Sequence, residues 1–538
     1  LRIITECAKR KHFITTPIFY VNSNPHIGHL YTALLADVLG RWKKIKNPDD
    51  KIVFSSGTDE HGSKVESAAA KAFCDPQSYC DRISGEFRRL FEEFNIQPTH
   101  FVRTTGQAHK KAVEQFWTVL NKKGYLYKDK YSGWYSVSDE VFYSSDQVSN
   151  QVNENGQETD IKVCTETGQP VTWVEEENYM FKMKNFTAEI EKWLKKSNNI
   201  IQPAHYLPIV LAMLRKEDIS VSRDRSRHRW GIPVPEDHSQ SIYVWLDALV
   251  NYLTVSGYPL SQYVWPPDCQ IIGKDILKFH AIYWPAFLMA AELPLPKKIF
   301  VHSHWMVGKL KMSKSRGNVV DPFSEADKLS KEGLRFFLIR QGVPHQDADY
   351  SESKALHVIN SQLSNVLGNL VQRSVTKQMN PEQIYPPFCS ETFEKEFQDD
   401  GLGLVDGLDG LAERVADFYD NLQYFQAVDL LLAGLRQTNA LYQYHTPWKF
   451  ARIGPEGKRN LQTTLHLTYE SLRIVGILLQ PVVPDLCHAL LTRLGIRDGE
   501  RTLEFARLNG KCPSDFVGRQ LGPDAGVLFR KINISPPV

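Results

Sequence analysis

The chain has 538 residues, 42% of them hydrophobic and 23% charged, with a net charge of +2. This excludes a disordered or low-complexity chain and leaves room for several units with buried cores, while neither requiring nor excluding a nucleic-acid partner. No apolar run is long enough to span a bilayer. The eight cysteines include no Cys-x-x-Cys pair, which argues against a disulfide framework and a paired zinc knuckle and for a reducing compartment.

Leu1 to Lys11 is a short basic segment without an initiating Met. It is expected to be a processed or trimmed end and is too short for an intact transit peptide. Residues 13–21 read as a buried strand interrupted by Pro17, and 22–25 as a turn. A helical pattern follows from about His29, with Leu30, Ala33, Leu34, Val38 and Trp42 on one face. Residues 51–56 read as a second strand ending at Gly57. Strand, turn, helix, strand is the signature of a parallel α/β sheet.

From about 121 to 235 the pattern changes. Short aromatic pieces at 133–135 and 141–143 flank a polar stretch from Ser144 to Glu158, expected to be a surface loop or hairpin. The block reads as an insertion between two halves of an α/β domain. The α/β signal returns at 242–253 and 270–293, with a further short strand at 299–301. From about 356 the pattern is helical, with Leu363, Val366, Leu367, Leu370 and Val371 on one face. A Pro-containing connector covers 380–392, and long helical patterns cover 408–445 and 457–479. The expected division is 1–120, 121–235, 236–304, 305–355 and 356–538.

Two motifs carry chemistry. His26-Ile27-Gly28-His29 stands where a strand gives way to a helix. Two imidazoles there can donate to phosphate oxygens, and the helix N-terminus adds its positive end. Gly28 allows a flat base to approach the backbone. Lys311-Met312-Ser313-Lys314-Ser315, followed by Arg316-Gly317-Asn318, is a cationic loop suited to holding a triphosphate and the leaving pyrophosphate.

In this order and on an α/β frame, the two motifs resemble the signature sequences of the class I aminoacyl-tRNA synthetases. The resemblance implies a Rossmann-like catalytic domain in two halves (1–120 and 236–304) and a connective insertion (121–235). It further implies a region bearing the Lys311–Ser315 loop and contacting the tRNA stem (305–355), and a C-terminal α-helical anticodon-binding bundle (356–538). It implies ATP and Mg²⁺ as requirements. His26, Gly28, His29, Asp275, Lys311 and Lys314 would contact ATP, with His26 and His29 stabilising the transition state and Asp275 binding ribose.

Segments 16–22 (Thr-Pro-Ile-Phe-Tyr-Val-Asn), 57–62 (Gly-Thr-Asp-Glu-His-Gly), 243–248 (Tyr-Val-Trp-Leu-Asp-Ala) and 273–280 (Gly-Lys-Asp-Ile-Leu-Lys-Phe-His) are similar to methionyl-tRNA synthetases. The implied amino-acid pocket is Ile18, Tyr20, Asp59, Trp245, Ala248, Leu249, Tyr252, Ile276 and His280. Aromatic edges suit a polarizable thioether. The Tyr252 hydroxyl, oriented by His280, is expected to donate to the sulfur and so discriminate against leucine. Asp59 is expected to pair with the substrate ammonium. Arg223 is a further candidate contact, although its charged surroundings at 223–229 read equally as a solvated face. In the helical part Asn369, Arg373 and Trp448 would read a CAU anticodon, by amide and guanidinium hydrogen bonds and by stacking.

Two departures stand out. Leu249 occupies a position where many members carry Pro. Ser136, Val137, Ser138, Asp139 and the lone Cys164 stand where many relatives carry zinc knuckles, so no structural zinc is expected. Leucyl, isoleucyl and valyl enzymes carry a large editing insertion, for which 121–235 is too short. The absent knuckles and the end of the chain soon after the helical bundle resemble the mitochondrial type of the family. That resemblance implies a monomeric enzyme of the mitochondrial matrix acting on tRNA(Met), with no membrane association; a bacterial cytoplasmic origin is the alternative.

Overall fold

The computed structural model describes residues 10–136, 141–143, 145–152, 157–165, 168–197, 199–226, 228–260, 263–312, 317–450, 454–508 and 514–533. Among these residues seven strands form one parallel sheet. They are β1 (Lys11–Thr15), β2 (Phe19–Tyr20), β3 (Lys51–Asp59), β4 (His100–Arg103), β5 (Ile201–Gln202), β6 (Cys269–Gly273) and β7 (Ile299–His302). The order is β5-β7-β6-β1-β3, with β2 and β4 each paired to β3. The central strands β1, β6 and β7 are almost wholly buried. Burial on both faces leaves them without a clean polar–apolar alternation, and His12, Thr15, Gln270 and His302 are buried along with the apolar residues.

Pro17 ends β1, since proline cannot donate to a ladder. The chain resumes as β2 against Thr58 and Asp59. β3 does not stop at Gly57 as expected but continues to Asp59. A Cβ on Gly57 would stand 2.0 Å from the Val102 carbonyl oxygen. That glycine serves the close approach of β4, not a turn.

Helix α1 (Ile27–Lys46) starts at the carboxyl end of the sheet and is buried along most of its length. Lys43, Lys44 and Lys46 fill its last turn, where cations complement the helix dipole. Trp42, Lys43 and Lys46 all donate to the Asp420 carboxylate, at 3.0, 2.6 and 2.5 Å. Arg335 makes a second tie. Fully buried, it donates to Asp37 at 2.7 Å, to Phe94 O at 2.6 Å and to Val482 O at 3.0 Å. One planar fork thus joins α1 to the C-terminal helices. Removing it would leave Asp37 buried beside Arg41 alone, a change that typically costs about 3 kcal/mol.

The expected insertion is antiparallel. Strands Leu126–Ser136, Val141–Tyr143, Thr172–Phe181 and Ile219–Ser220 form one sheet. Trp134 opposes Trp173 across two of them. The polar stretch forms a hairpin of Val148–Val152 and Glu158–Cys164. A three-stranded sheet, Ser222–Asp224, Pro233–Val234 and Asp237–Ile242, runs on past 235. Between them the chain sends β5 back to the edge of the parallel sheet, beside β7.

The C-terminal part is helical. The pattern at 408–445 is two helices, Leu411–Asp420 and Tyr424–His445, separated at Leu422, whose φ of 57° stops the first. Helix Glu352–Ile359 continues through a widened π segment, Asn360–Gly368, into Asn369–Ser374.

Candidate active site

In the sheet, β1 is flanked on one side by β3, from the same half of the domain, and on the other by β6 from the second half. Strand order reverses there, and ligands of open α/β sheets bind outside the carboxyl ends of the strands at such a point. A cavity of about 380 Å³ opens at this place. Its wall includes all nine residues expected to hold the amino acid, namely Ile18, Tyr20, Asp59, Trp245, Ala248, Leu249, Tyr252, Ile276 and His280. It also includes His26, Gly28, His29, Asp275 and Lys311 from the nucleotide set. Lys314, Ser313, Ser315 and Arg316 lie outside the described residues.

His26 is the N-cap of α1. Its Nδ1 accepts the Gly28 N–H at 3.0 Å, and its own backbone N–H donates to His29 Nδ1 at 3.2 Å. An Nδ1 that accepts carries no proton, so both rings hold theirs on Nε2. The rings stack with centroids 3.8 Å apart. Burial, and then the neighbouring His26, hold His29 well below the usual histidine range. The pair is a neutral double donor at a helix N-terminus, suited to phosphate oxygens. Gly28 has a local role. A Cβ there would lie 2.8 Å from the His26 ring and break the cap. The same point is 3.6 Å from the Met312 methyl, so the second motif reaches the first.

The apolar wall comes from the helical turns Val244–Leu249 and Asn251–Ser256 and from the segment after β6. Trp245 stacks on Phe279 at 3.7 Å. His280 Nδ1 lies 2.9 Å from the Ile276 carbonyl oxygen, and its Nε2 2.8 Å from the Tyr252 hydroxyl. Only a donor can face a carbonyl, so Nδ1 bears the proton and Nε2 accepts from Tyr252. Burial lowers the His280 pKa to about 4, consistent with a neutral ring. This alters the expectation for Tyr252. Its proton is committed to His280 and not offered to a sulfur, which leaves packing against apolar and aromatic surface as the means of holding a thioether.

Beneath this wall Asp247 receives His61 at 2.6 Å and His109 at 2.7 Å, all three buried. Burial pushes the Asp247 carboxyl up, but the two imidazoles outweigh it and leave it at about 2. The triad ties segment 57–62 to segment 243–248, which places Asp59 and Trp245 on the same cavity.

On the nucleotide side Asp275 is held by His304 Nε2 at 2.8 Å and by the Lys311 ammonium. Burial raises the Asp275 pKa, yet the hydrogen bonds and charge it meets at His304 and Lys311 bring it well below the usual carboxylate range. His302, which ends β7, and His304 and Trp305, which follow it, also line the cavity, as do Thr32 and Lys64. Sequence reading missed them. The signal was available, because His302-Ser303-His304 directly follows an apolar strand, and strand carboxyl ends carry sites in such sheets.

Arg223 is neither on a solvated face nor on the wall of the main cavity. It is buried, with its guanidinium 4.2 Å from the Tyr243 ring centroid, and donates to Ser222 O at 2.7 Å. In the helical part Asn369 and Arg373 are exposed on one helix. The Arg373 guanidinium lies over Tyr442 at 5.2 Å, and the Tyr442 ring is 6.3 Å from Trp448, which is 38% exposed. The three expected anticodon contacts therefore share one surface, with Tyr442 between Arg373 and Trp448.

A parallel sheet that brings paired neutral histidines, a lysine and an aromatic apolar wall to one cavity is the framework of a nucleotide-dependent ligase for a small apolar acid. Residues 12–375 match the family model of class I tRNA synthetases (M). The chain is 46% identical to the human mitochondrial methionine–tRNA ligase over 98% of this chain and 92% of that one. It is 47% identical to the bovine mitochondrial enzyme, over 97% and 91%. The Mycobacterium tuberculosis methionyl-tRNA synthetase in complex with methionyl-adenylate superposes with a TM-score of 0.89 at 35% identity, covering 97% of this chain and all of that one. The chain belongs to the methionine–tRNA ligase family of class I aminoacyl-tRNA synthetases.

Proposed function

We propose that this chain activates methionine with ATP and transfers it to the 3′ end of tRNA(Met) for mitochondrial protein synthesis. The observation that carries the reading is convergence. His26, His29 and Lys311 line the same cavity as Tyr20, Trp245, Ala248, Leu249, Tyr252 and Ile276.

The methionine carboxylate attacks the ATP α-phosphorus in line. A bond forms from carboxylate oxygen to phosphorus, and the bond to the bridging oxygen breaks, releasing pyrophosphate. No side chain acts as nucleophile; positioning and charge stabilisation lower the barrier. The two Nε2–H groups donate to the charge that builds on the phosphorus oxygens. Lys311, together with Lys314, holds the leaving pyrophosphate. Mg²⁺ bound with ATP would supply charge screening of its phosphates. Asp59 faces the substrate ammonium. In the second step the 2′-hydroxyl of the terminal adenosine attacks the adenylate carbonyl and AMP leaves. Asn369, Arg373 and Trp448 read the anticodon.

The same reading makes the enzyme a monomer of the mitochondrial matrix, without structural zinc. Cys164 is buried in an apolar cluster with Tyr143 and Val171, where it packs as a small hydrophobe. Stoichiometric zinc in purified protein would overturn that part, and sedimentation at twice the chain mass would overturn the monomer. The decisive assay for the function is ATP–pyrophosphate exchange across a panel of amino acids. Exchange with methionine alone is expected; preference for leucine, isoleucine or valine, or no exchange, would overturn the reading.

A further inference from the structure

The nucleotide side of the cavity holds a cluster of which the phosphate chemistry above uses only Lys311. Asp275 stands on the turn after β6 with both carboxylate oxygens engaged. Oδ1 meets His304 Nε2 at 2.8 Å, and Oδ2 meets the Lys311 ammonium. The two contacts differ in kind. His304 is fixed from behind, since its backbone N–H donates to Asp347 Oδ1 at 2.9 Å. Asp347 is itself clamped by Lys274, at 2.8 Å to each oxygen. The His304 side chain is 20% exposed and the Lys311 side chain 59%. An ion pair to a long, exposed lysine is weak and readily exchanged, whereas a mostly buried ring on an anchored backbone is not. The neighbouring His302 offers no such contact to Asp275, being bonded to Thr32 at 2.9 Å and to Ser303 O at 2.9 Å.

We propose that His304 is a positioning residue that pins Oδ1 of Asp275, so that Oδ2 serves one donor at a time. A ribose hydroxyl of ATP replaces the Lys311 ammonium at Oδ2, and the freed lysine turns to the phosphates. Ribose capture and delivery of a cation to the pyrophosphate are then one exchange, and each favours the other. This rests on the reading of Asp275 as the ribose acceptor and Lys311 as a pyrophosphate ligand. The exchange needs no covalent step: a hydroxyl donor takes the place of an ammonium donor at the same oxygen.

ATP–pyrophosphate exchange separates the possibilities, measured for wild type, His304→Ala, His304→Phe, His304→Gln and Asp275→Ala with ATP, 2′-deoxy-ATP and 3′-deoxy-ATP. His304→Ala is expected to raise KM for ATP about tenfold, the scale of one hydrogen bond to a charged group. KM for methionine stays unchanged. The penalty for removing the bound ribose hydroxyl shrinks, because an unpinned Asp275 no longer distinguishes the nucleotides. His304→Gln, whose amide still donates, recovers most of the loss. His304→Phe keeps the ring without the donor and gives the same result as alanine, so it carries the test if the alanine variant does not fold. Equal rises in KM for ATP and for methionine would indicate a merely structural role and overturn the proposal. An unchanged ATP KM in the His304 variants, with a raised one in Asp275→Ala, would overturn it while leaving the ribose reading standing. An unchanged ATP KM in Asp275→Ala would remove the ribose reading and the proposal together.

Discussion

His26 and His29 stack with ring centroids 3.8 Å apart, and the backbone N–H of the first is received by the Nδ1 of the second. The helix start thereby fixes the tautomer of the two rings proposed to meet the phosphates. Replacing His29 by Ala should lower kcat for ATP–pyrophosphate exchange about 100- to 1,000-fold, as loss of a transition-state donor does elsewhere. Gly28→Ala should lower kcat too, by pushing the His26 ring off its cap, and should cost about 1 kcal/mol of stability. Urea titration and exchange kinetics on the same preparation check both. A Gly28→Ala enzyme of normal rate would show that the cap does not matter to catalysis.

Tyr252 gives its proton to His280, and this has a kinetic signature. Tyr252→Phe leaves a buried imidazole nitrogen without a donor, a loss of about 1–3 kcal/mol. KM for methionine should rise. The preference for methionine over norleucine, which has a methylene in place of sulfur, should stay as it is. A selective loss against methionine would return the hydroxyl to the role of sulfur donor.

Burial holds His280 and His302 down to about 4 from 6.5, and His29 is lowered in the same sense. Below about pH 6.5 the unfolded chain binds protons at these positions that the folded chain refuses, so stability falls with pH down to about 4. Each shift from 6.5 to about 4 amounts to roughly 3 kcal/mol at full depth. Asp247 acts in a lower window. Its depressed carboxyl stabilises the fold above 3.8, and that contribution is lost as pH falls through about 2. Urea midpoints between about pH 7.5 and pH 5 should drop steadily, and His280→Gln should flatten the slope. A flat profile in the wild type would contradict the buried neutral histidines.

Trp448 and Arg373 flank Tyr442 on the helical surface. Trp448→Ala should reduce aminoacylation of tRNA(Met) about tenfold to a hundredfold, the range for loss of one stacked base. ATP–pyrophosphate exchange should be unchanged. Equal losses in both assays would place Trp448 in the scaffold instead.

Part of the fold and of the site is legible in the amino-acid sequence. The βαβ start and both nucleotide motifs follow from local patterns, whereas the aromatic wall was legible only through the resemblance of segments 16–22, 57–62, 243–248 and 273–280 to methionyl-tRNA synthetases. The remainder depends on long-range pairing. His304 matters because β7 lies beside β6, which brings it to Asp275. Arg335 reads as one more charged helix residue until it is seen among Asp37, Phe94 and Val482. The Tyr252 proton is directed by the Ile276 carbonyl, a backbone group whose orientation no side-chain pattern encodes. Gly28 and Gly57 were noticed, but what each makes room for could only be seen in three dimensions.

The neighbours of β1 have a further consequence. Phe13 pairs with Val53 early in the chain, whereas Thr15 must wait for Gln270. As the nascent polypeptide leaves the ribosome, β1 shows a bare apolar edge until residues 269–302 have emerged. The inserted block waits too, because Leu126, Phe181 and Ile190 share a core with Ile272, Phe287 and Val301, and the cavity cannot close. Such an edge is a template for wrong pairing. A chain stalled or cut before residue 269 should therefore aggregate or be held by chaperones, whereas a fragment supplying β6 and β7 in trans should rescue its solubility.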